Sequence, residues 1–507
     1  MNKLKQHFKD NTISYLSILL IMLGISTFVY LRIRYLIDDD VSSEMVLGHL
    51  MYTQGNHFLC PKWIYSKEIR LFNMQAIYAF LFKFISSWFQ IRVITTITIA
   101  FLFALSLFKM CKSSELSKLF PLILFCFFMP LSYDVLYGTT VVLSYWVYVI
   151  YSFLILIEYF NYYKTKNNIH LVLSVFLSIA ICTAGPRFIL QIYLPLLATS
   201  LAIYIFKRNE KRILIFSSIS FIGAIIGFII YKIFIEGNFF IPGLAVLVIK
   251  PDITRINLYL KCFIENFGYG QSVLFNLISI FIFLLSIVSA SMVILNHKTY
   301  SFYSLSYALF YLFGTIGMGF CIVLSTIQCE NRYLYVTTIF AIPIIFSFIN
   351  EIKNIKKALI ILVLISFAYG GFNTYIRCFK IDKTSELDYI QSELITKGYE
   401  NGYAFFWSNN VITELSNGVI DMYCLGFTST TDSNYKNIET KLTWLQNIDH
   451  MTQIPDGKVF ILLTNEEKEK FLDLIYYFTE KDIVIVTENY TAYGFNSYSE
   501  LKEVIRF

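Results

Sequence analysis

Asp38, Asp39 and Asp40 stand in succession just beyond the first long apolar run of the chain, and Ser42, Ser43 and Glu44 follow at once. Carboxylates at this density suit two kinds of chemistry. One of them can take the proton of an attacking hydroxyl as general base, or several can hold a divalent cation, Mg or Mn, through oxygen ligands. A free aspartate, with a pKa of about 3.9, is a weak base, but neighbouring carboxylates and partial burial raise it toward the working range. Successive helical residues point about 100° apart, so at most one or two of the three can face one pocket. Asp40 is favoured, with Asp38 or Asp39 second and Glu44, one turn beyond Asp40, as a helper. The competing explanation is a solvated helix start, since Asp and Ser cap helices well.

The elements that must position these acids are apolar. Hydrophobic residues make up 56% of the 507, aromatic ones 18% and charged ones only 15%, a balance no soluble domain of this length shows. A membrane span needs about 20 apolar residues, fewer where the ends are aromatic or snorkelling. About eleven runs meet that description: 13–31, 84–108, 119–133, 135–157, 171–186, 188–206, 213–231, 271–295, 299–329, 333–350 and 358–376. The first is too long for a signal-peptide core and has no small-residue cleavage site, so it reads as a retained helix. A charge at the centre of a bilayer costs about 2.5–3.5 kcal/mol on insertion scales, which places the three aspartates at an interface or in a wet cavity.

The net charge of +6 sits largely in short loops: Lys3, Lys5 and Lys9; Lys109, Lys112 and Lys118; Lys164 and Lys166; Lys207, Arg208, Lys211 and Arg212; Lys298; Lys353, Lys356 and Lys357. By the positive-inside rule these loops are cytoplasmic, so the basic excess is a topology signal and argues against nucleic-acid binding. With the N-terminus inside, every long polar segment falls on the opposite face: 37–83, 232–270 and 377–507. A transporter would more often carry its polar residues along a path through the bilayer. The expected division is a membrane domain, 1–376, bearing outer loops 37–83 and 232–270, and a soluble tail, 377–507. The nine cysteines are scattered with no C-x-x-C pair, which supports neither a zinc site nor a disulfide framework.

The first outer segment reads as two short helices, 42–50 and 69–84, around a polar stretch holding His57, Trp63, Tyr65 and Glu68. Trp63 and Tyr65 suit an interfacial aromatic belt or a sugar-stacking surface. In the tail, 385–397 has a helical pattern ending at Gly398. Short strands at 403–407, 459–463 and 482–487, with a helix at 466–477 capped by Thr464 or Asn465, suggest a small α/β domain. The turn at Phe406, Trp407, Ser408, Asn409 and Asn410 suits either a sugar contact or a plain strand end.

A long first outer loop carrying three aspartates, interfacial helices, alternating spans, a second outer loop with basic residues and an outer tail together resemble the GT-C superfamily of membrane glycosyltransferases, of the protein-mannosyltransferase and aminoarabinose-transferase kind. The stretch from Asp40 through Ser43 and Glu44 to the run Trp63 to Arg70 is also similar to uncharacterised bacterial proteins of this type. The resemblance covers about the first 376 residues and is architectural; a run of three aspartates departs from the usual acidic pair. It implies an inverting transferase at the outer face of a bacterial cytoplasmic membrane, moving a sugar from a polyprenyl-phosphate carrier to a hydroxyl of a glycan, lipid or protein, with an acid of the first outer loop near the acceptor. The departing lipid phosphate would need cations near that face, and Lys250, Arg255, Lys261, Arg187 and Arg332 are the candidates. Arg332 with Tyr333 is similar to an Arg-Tyr element of many relatives. Trp63, Tyr65, Glu68 and His57 would meet the acceptor sugar. The alternatives are a polymerase or ligase of surface-polysaccharide assembly, against which the clustered acids argue, and a multi-pass transporter or flippase, against which spans with almost no ionisable residue beyond Arg92 argue.

Overall fold

The computed structural model describes residues 2–55, 58–66, 69, 71, 73–206, 210–239, 249–326, 329–352, 355–427, 438–439, 444–470, 478 and 480–504. His57 and Glu68 lie outside them. The chain is a multi-pass helical protein with a small sheet toward its C-terminus. Eight helices among the described residues are long and apolar enough to cross a membrane, or nine if one bent pair counts as a span. Their outward faces explain the composition. On the first, Asn11–Leu36, Leu16, Leu19, Leu20 and Leu23 are each more than half exposed, a stripe that a bilayer would cover.

Eleven apolar runs therefore fold into fewer long helices, for local reasons. The runs at 119–133 and 135–157 become Ser117–Phe128 and Tyr133–Val142, bent by 104°, and then a separate helix, Ser144–Thr165. Ser132 caps the second piece through Val135 N–H, and a π-type turn at Gly138–Val142 ends at Leu143, whose φ of 48° breaks the ladder. Ser144–Thr165 is long enough to span, but six tyrosines and Glu158 make it too polar to qualify on composition. The run at 171–186 yields only Asn168–Cys182.

The chain divides into two compact units: Met1–Val29, Thr96–Ile235 and Ala245–Lys380 form one, and Tyr30–Thr95, Glu236–Leu244 and Ile381–Phe507 the other. The segment 37–83, expected to go with the spans, thus folds with the tail. In the first unit hydroxyls join helices: Ser174 to Ser220 at 2.8 Å, Ser286 to Tyr311 at 2.8 Å and Tyr307 to Ser114 at 2.8 Å. Without a hydrophobic drive between helices in lipid, such bonds and small residues carry association.

In the second unit, strand β1 (Trp63–Ile64) pairs antiparallel with β5 (Gln446–Asn447), joining the early segment to the tail. The tail's main sheet runs β4 (Ile438–Glu439), β3 (Asp421–Phe427), β2 (Asn401–Phe405), β6 (Val459–Thr464), β8 (Tyr490–Phe495), β7 (Ile483–Val486), with β2 parallel to both β3 and β6. Tyr403, Phe405, Tyr423, Leu425, Val459 and Ile461 lead its buried core. Short apolar runs made β2, β6 and β7 legible; β3 and β8 were not anticipated. The helix Ser385–Thr396 ends before Gly398, at φ 79°, as the sequence suggests. Thr464 and Glu467 form a reciprocal cap at 2.8 and 3.2 Å for the helix Asn465–Lys470, whose expected extension to 477 is outside the described residues.

A buried polar contact ties this unit together at Arg92, 1% exposed. Its Nε and a terminal nitrogen grip both carboxylate oxygens of Glu414, and it also donates to Val41 O at 3.2 Å and Tyr78 Oη at 3.3 Å. Removing one partner of a buried pair strands the other charge, at a cost of about 3–5 kcal/mol. Glu414→Ala should therefore lower stability to unfolding by about that amount, whereas Asp388→Ala, which breaks the half-exposed pair with Arg34, should cost about 0–1 kcal/mol. Thermal unfolding of the purified protein in detergent measures both, and equal losses would contradict the assignment.

Candidate functional site

The helix Asp39–Thr53 distributes the three aspartates among different partners. Asp38, in extended conformation at φ −139°, is its N-cap: the carboxylate accepts from Val41 N–H at 3.3 Å and pairs with Lys383 Nζ at 3.0 Å. Asp39 is fully buried, and its two oxygens accept the backbone amides of Asn409, at 2.8 Å, and Asn410, at 2.5 Å. Burial pushes its carboxyl well above the usual carboxylate range, against the pull of those two amides. Asp40 is half-buried, and Glu44 lies one turn on, along the same helical face. The helix-start explanation thus describes Asp38, and a clamp to the tail describes Asp39; neither needs to face a substrate. Among the described residues no three His, Cys, Asp or Glu side chains converge as a metal set.

Glu44 lines a small, half-open cleft with Ser43, Trp63, Tyr65, Ser66 and Gln75. The β1–β5 pairing builds its far wall: Leu445 N–H bonds Ile64 O at 2.9 Å and Leu445 itself lines the cleft. Tyr65 Oη accepts from Cys60 N–H at 2.7 Å, and burial keeps the phenol protonated, with Glu44 adding in the same direction. The cleft therefore joins a half-buried carboxylate, a serine hydroxyl and a protonated phenol. Trp63 and Tyr65 are 1% and 4% exposed, so they wall the cleft and present no open stacking face or surface belt.

The basic candidates belong to the other unit. Arg187 and Arg332 converge on one ring: their guanidiniums lie 4.7 and 5.7 Å from the centroid of Tyr333. Arg187 also lies 5.6 Å from the Tyr145 ring, and Arg332 pairs with Glu330 at 2.5 Å. Gln191, in a π-type turn at Ile189–Tyr193, donates to Tyr333 O at 2.7 Å and fixes that backbone. Arg255 opens the helix Arg255–Glu265, which lies against this segment: Asn266 Nδ2 donates to Asn331 O at 3.0 Å. Lys250 and Lys261 are exposed; Lys261 lies 3.9 Å from Glu265, and Lys250 is held by its backbone bond to Leu324 O. The cations thus separate into two that share an aromatic ring, one at a neighbouring helix start and two at the surface.

Asp134 is the acid that sequence reasoning missed. Its Oδ2 accepts from Asn331 Nδ2 at 2.7 Å, beside Arg332, and its carbonyl accepts the Tyr335 hydroxyl. A Cβ at Gly138 would meet the Tyr335 ring at 2.4 Å, so only glycine lets that phenol in. The available signal was an ionisable residue wedged between two apolar runs. A half-open, largely apolar hollow adjoins it, lined by Phe127, Leu131, Val135, Ile339, Ile342 and Phe367 among others.

The chain matches no protein-family model and no curated protein.

Two variants separate the aspartate roles. Asp39→Asn replaces one accepting oxygen with a donor facing a buried amide and should cost about 1–3 kcal/mol, while Asp40→Asn, at a half-buried position, should cost less. A carboxyl raised in the folded state stabilises fully below its unfolded pKa, and that contribution is lost as pH rises through the folded value. The wild-type advantage over Asp39→Asn in thermal unfolding should therefore shrink from pH 4 upward; a gap that widens with pH would refute the assignment.

Proposed function

We propose that the protein is a membrane glycosyltransferase of the GT-C type, moving a sugar from a polyprenyl-phosphate carrier to an acceptor hydroxyl at the outer face of a bacterial cytoplasmic membrane with inversion. The observation that carries this reading is the cleft in which Glu44 meets Ser43 and Tyr65, with Asp40 one turn away. An acceptor hydroxyl attacking C1 sheds its proton as the bond forms, and a half-buried carboxylate accepts it; such a base is worth about 10²–10⁴ in rate. Asp40 and Glu44, on one face of the helix Asp39–Thr53 with Glu44 lining the cleft, are the acids placed to carry that step.

Arg187 and Arg332, which meet over Tyr333, are the cations this reading gives to the departing phosphate, Arg332 with Glu330 as its ion-pair partner. The apolar cavity beside Asp134 suits part of an isoprenoid chain. A transporter is the second reading, favoured by the bent helix pair and by Asp134 held within the spans.

Membranes containing the wild type, Asp40→Asn, Glu44→Gln or Arg332→Ala, supplied with radiolabelled polyprenyl-phosphate sugars, test the reading. Transfer should fall by about 10² or more in at least one carboxylate variant and also fall in Arg332→Ala, with protein levels unchanged. Full transfer in both carboxylate variants would dismiss the base. No transfer from any carrier by the wild type would favour the transporter.

A further inference from the structure

The five tryptophans divide sharply. Trp63, Trp88 and Trp146 are at most 2% exposed, whereas Trp407 and Trp444 are 65% and 43% exposed. The two exposed ones meet at a single residue. Phe406 stacks on Trp444 with ring centroids 5.4 Å apart and planes 7° from parallel, and it meets Trp407 edge to face at 5.0 Å. Phe406 and Trp407 belong to the tight turn that ends β2, while Trp444 immediately precedes Leu445, so chain segments about forty residues apart build one aromatic platform. Large rings left in water on two separate segments are costly, and such patches mark a surface that something covers.

The platform continues into the Glu44 cleft. Leu445, the next residue after Trp444, lines that cleft; its carbonyl accepts from Asn410 Nδ2 at 3.3 Å, and its φ of 49° turns the chain between platform and cleft. Asn409 and Asn410, which follow the platform turn, are the residues whose amides clamp Asp39, at the start of the helix that carries Glu44. The rings are therefore held in register with the cleft by the same bonds that fix its acid-bearing helix.

We propose that Phe406, Trp407 and Trp444 form a subsite for the acceptor and that the acceptor is a glycan. A pyranose presents an apolar C–H face that stacks on an aromatic ring, while its hydroxyls remain hydrated. An aromatic platform beside a cleft that holds a carboxylate fits a chain of such rings whose terminal hydroxyl reaches Glu44. The role as acceptor site rests on the transfer reading; binding to the platform does not.

The test uses the full-length protein in nanodiscs, with intrinsic tryptophan fluorescence titrated by N-acetylglucosamine hexamer, mannohexaose, galactohexaose and maltohexaose. One of these should give a saturable change, weakened at least tenfold in Trp407→Ala and in Trp444→Ala and largely recovered in Trp407→Phe. The unaltered thermal unfolding expected of these surface variants separates lost binding from lost folding. Failure of all four sugars, or equal binding by Trp407→Ala, overturns the proposal, as does a change elicited only by phosphatidylglycerol vesicles, which would make the platform a membrane contact. Because no donor lipid is present, the titration reads binding alone: saturable binding here, together with no transfer from any carrier in the membrane assay, would refute the transfer reading and leave the glycan subsite standing.

Discussion

Arg92 is buried among groups that come from distant parts of the chain, and a guanidinium in that position must be neutralised and fully bonded to be tolerated. Glu414 supplies both oxygens, Val41 a carbonyl and Tyr78 a hydroxyl and a ring face. The consequence is geometric. Arg92 lies in the first turns of the helix Trp88–Ser113, Val41 in the helix Asp39–Thr53 and Glu414 in the tail, so meeting this one demand fixes three segments together. Asp39 repeats the device with a buried carboxylate against the Asn409 and Asn410 amides. A carboxylate and a guanidinium, both costly to bury, thereby specify how the early segment and the tail fold as one unit.

That unit explains what the sequence showed and what it hid. The spans and the tail strands β2 and β6 follow from local patterns of apolar residues, and the capping box at Thr464 and Glu467 is readable from spacing alone. Partners separated by more than 300 residues leave no such trace. Arg92 reads as an anomaly within a span, and Glu414 as one acid among many. The aspartate run was recognisable as exceptional, yet the division of labour within it depends on Asn409, Asn410 and Lys383. Sequence favoured Asp40 on helical geometry, and the structure leaves Asp40 and Glu44 on a shared helical face, with Glu44 in the cleft. Trp63 and Tyr65 attracted attention as aromatic residues in a polar stretch, but β1–β5 pairing encloses them and leaves the open rings to Trp407 and Trp444.

In the membrane unit the eleven apolar runs do not each become one straight long helix, because hydropathy does not register breaks. Leu143 and the π-type turn at Gly138–Val142 interrupt an apolar run, while the π-type turn at Ile189–Tyr193 opens the helix that runs on to Phe206; Asp134 precedes the first turn, and Arg187 the second. Irregular backbone within apolar surroundings is tolerated where protein groups satisfy it, and Gln191 and Tyr335 do so here. The meeting of Arg187 and Arg332 over Tyr333 required the fold, although each arginine was recognisable alone as a cation against the expected topology.

The most direct test of this account is amide hydrogen exchange in the wild type and Arg92→Met. Loss of the guanidinium should deprotect the helix Asp39–Thr53 and the amides of Asn409 and Asn410 together, because one buried site holds both segments. If either segment keeps its protection while the other opens, the two are stabilised independently and Arg92 is not the group that joins them.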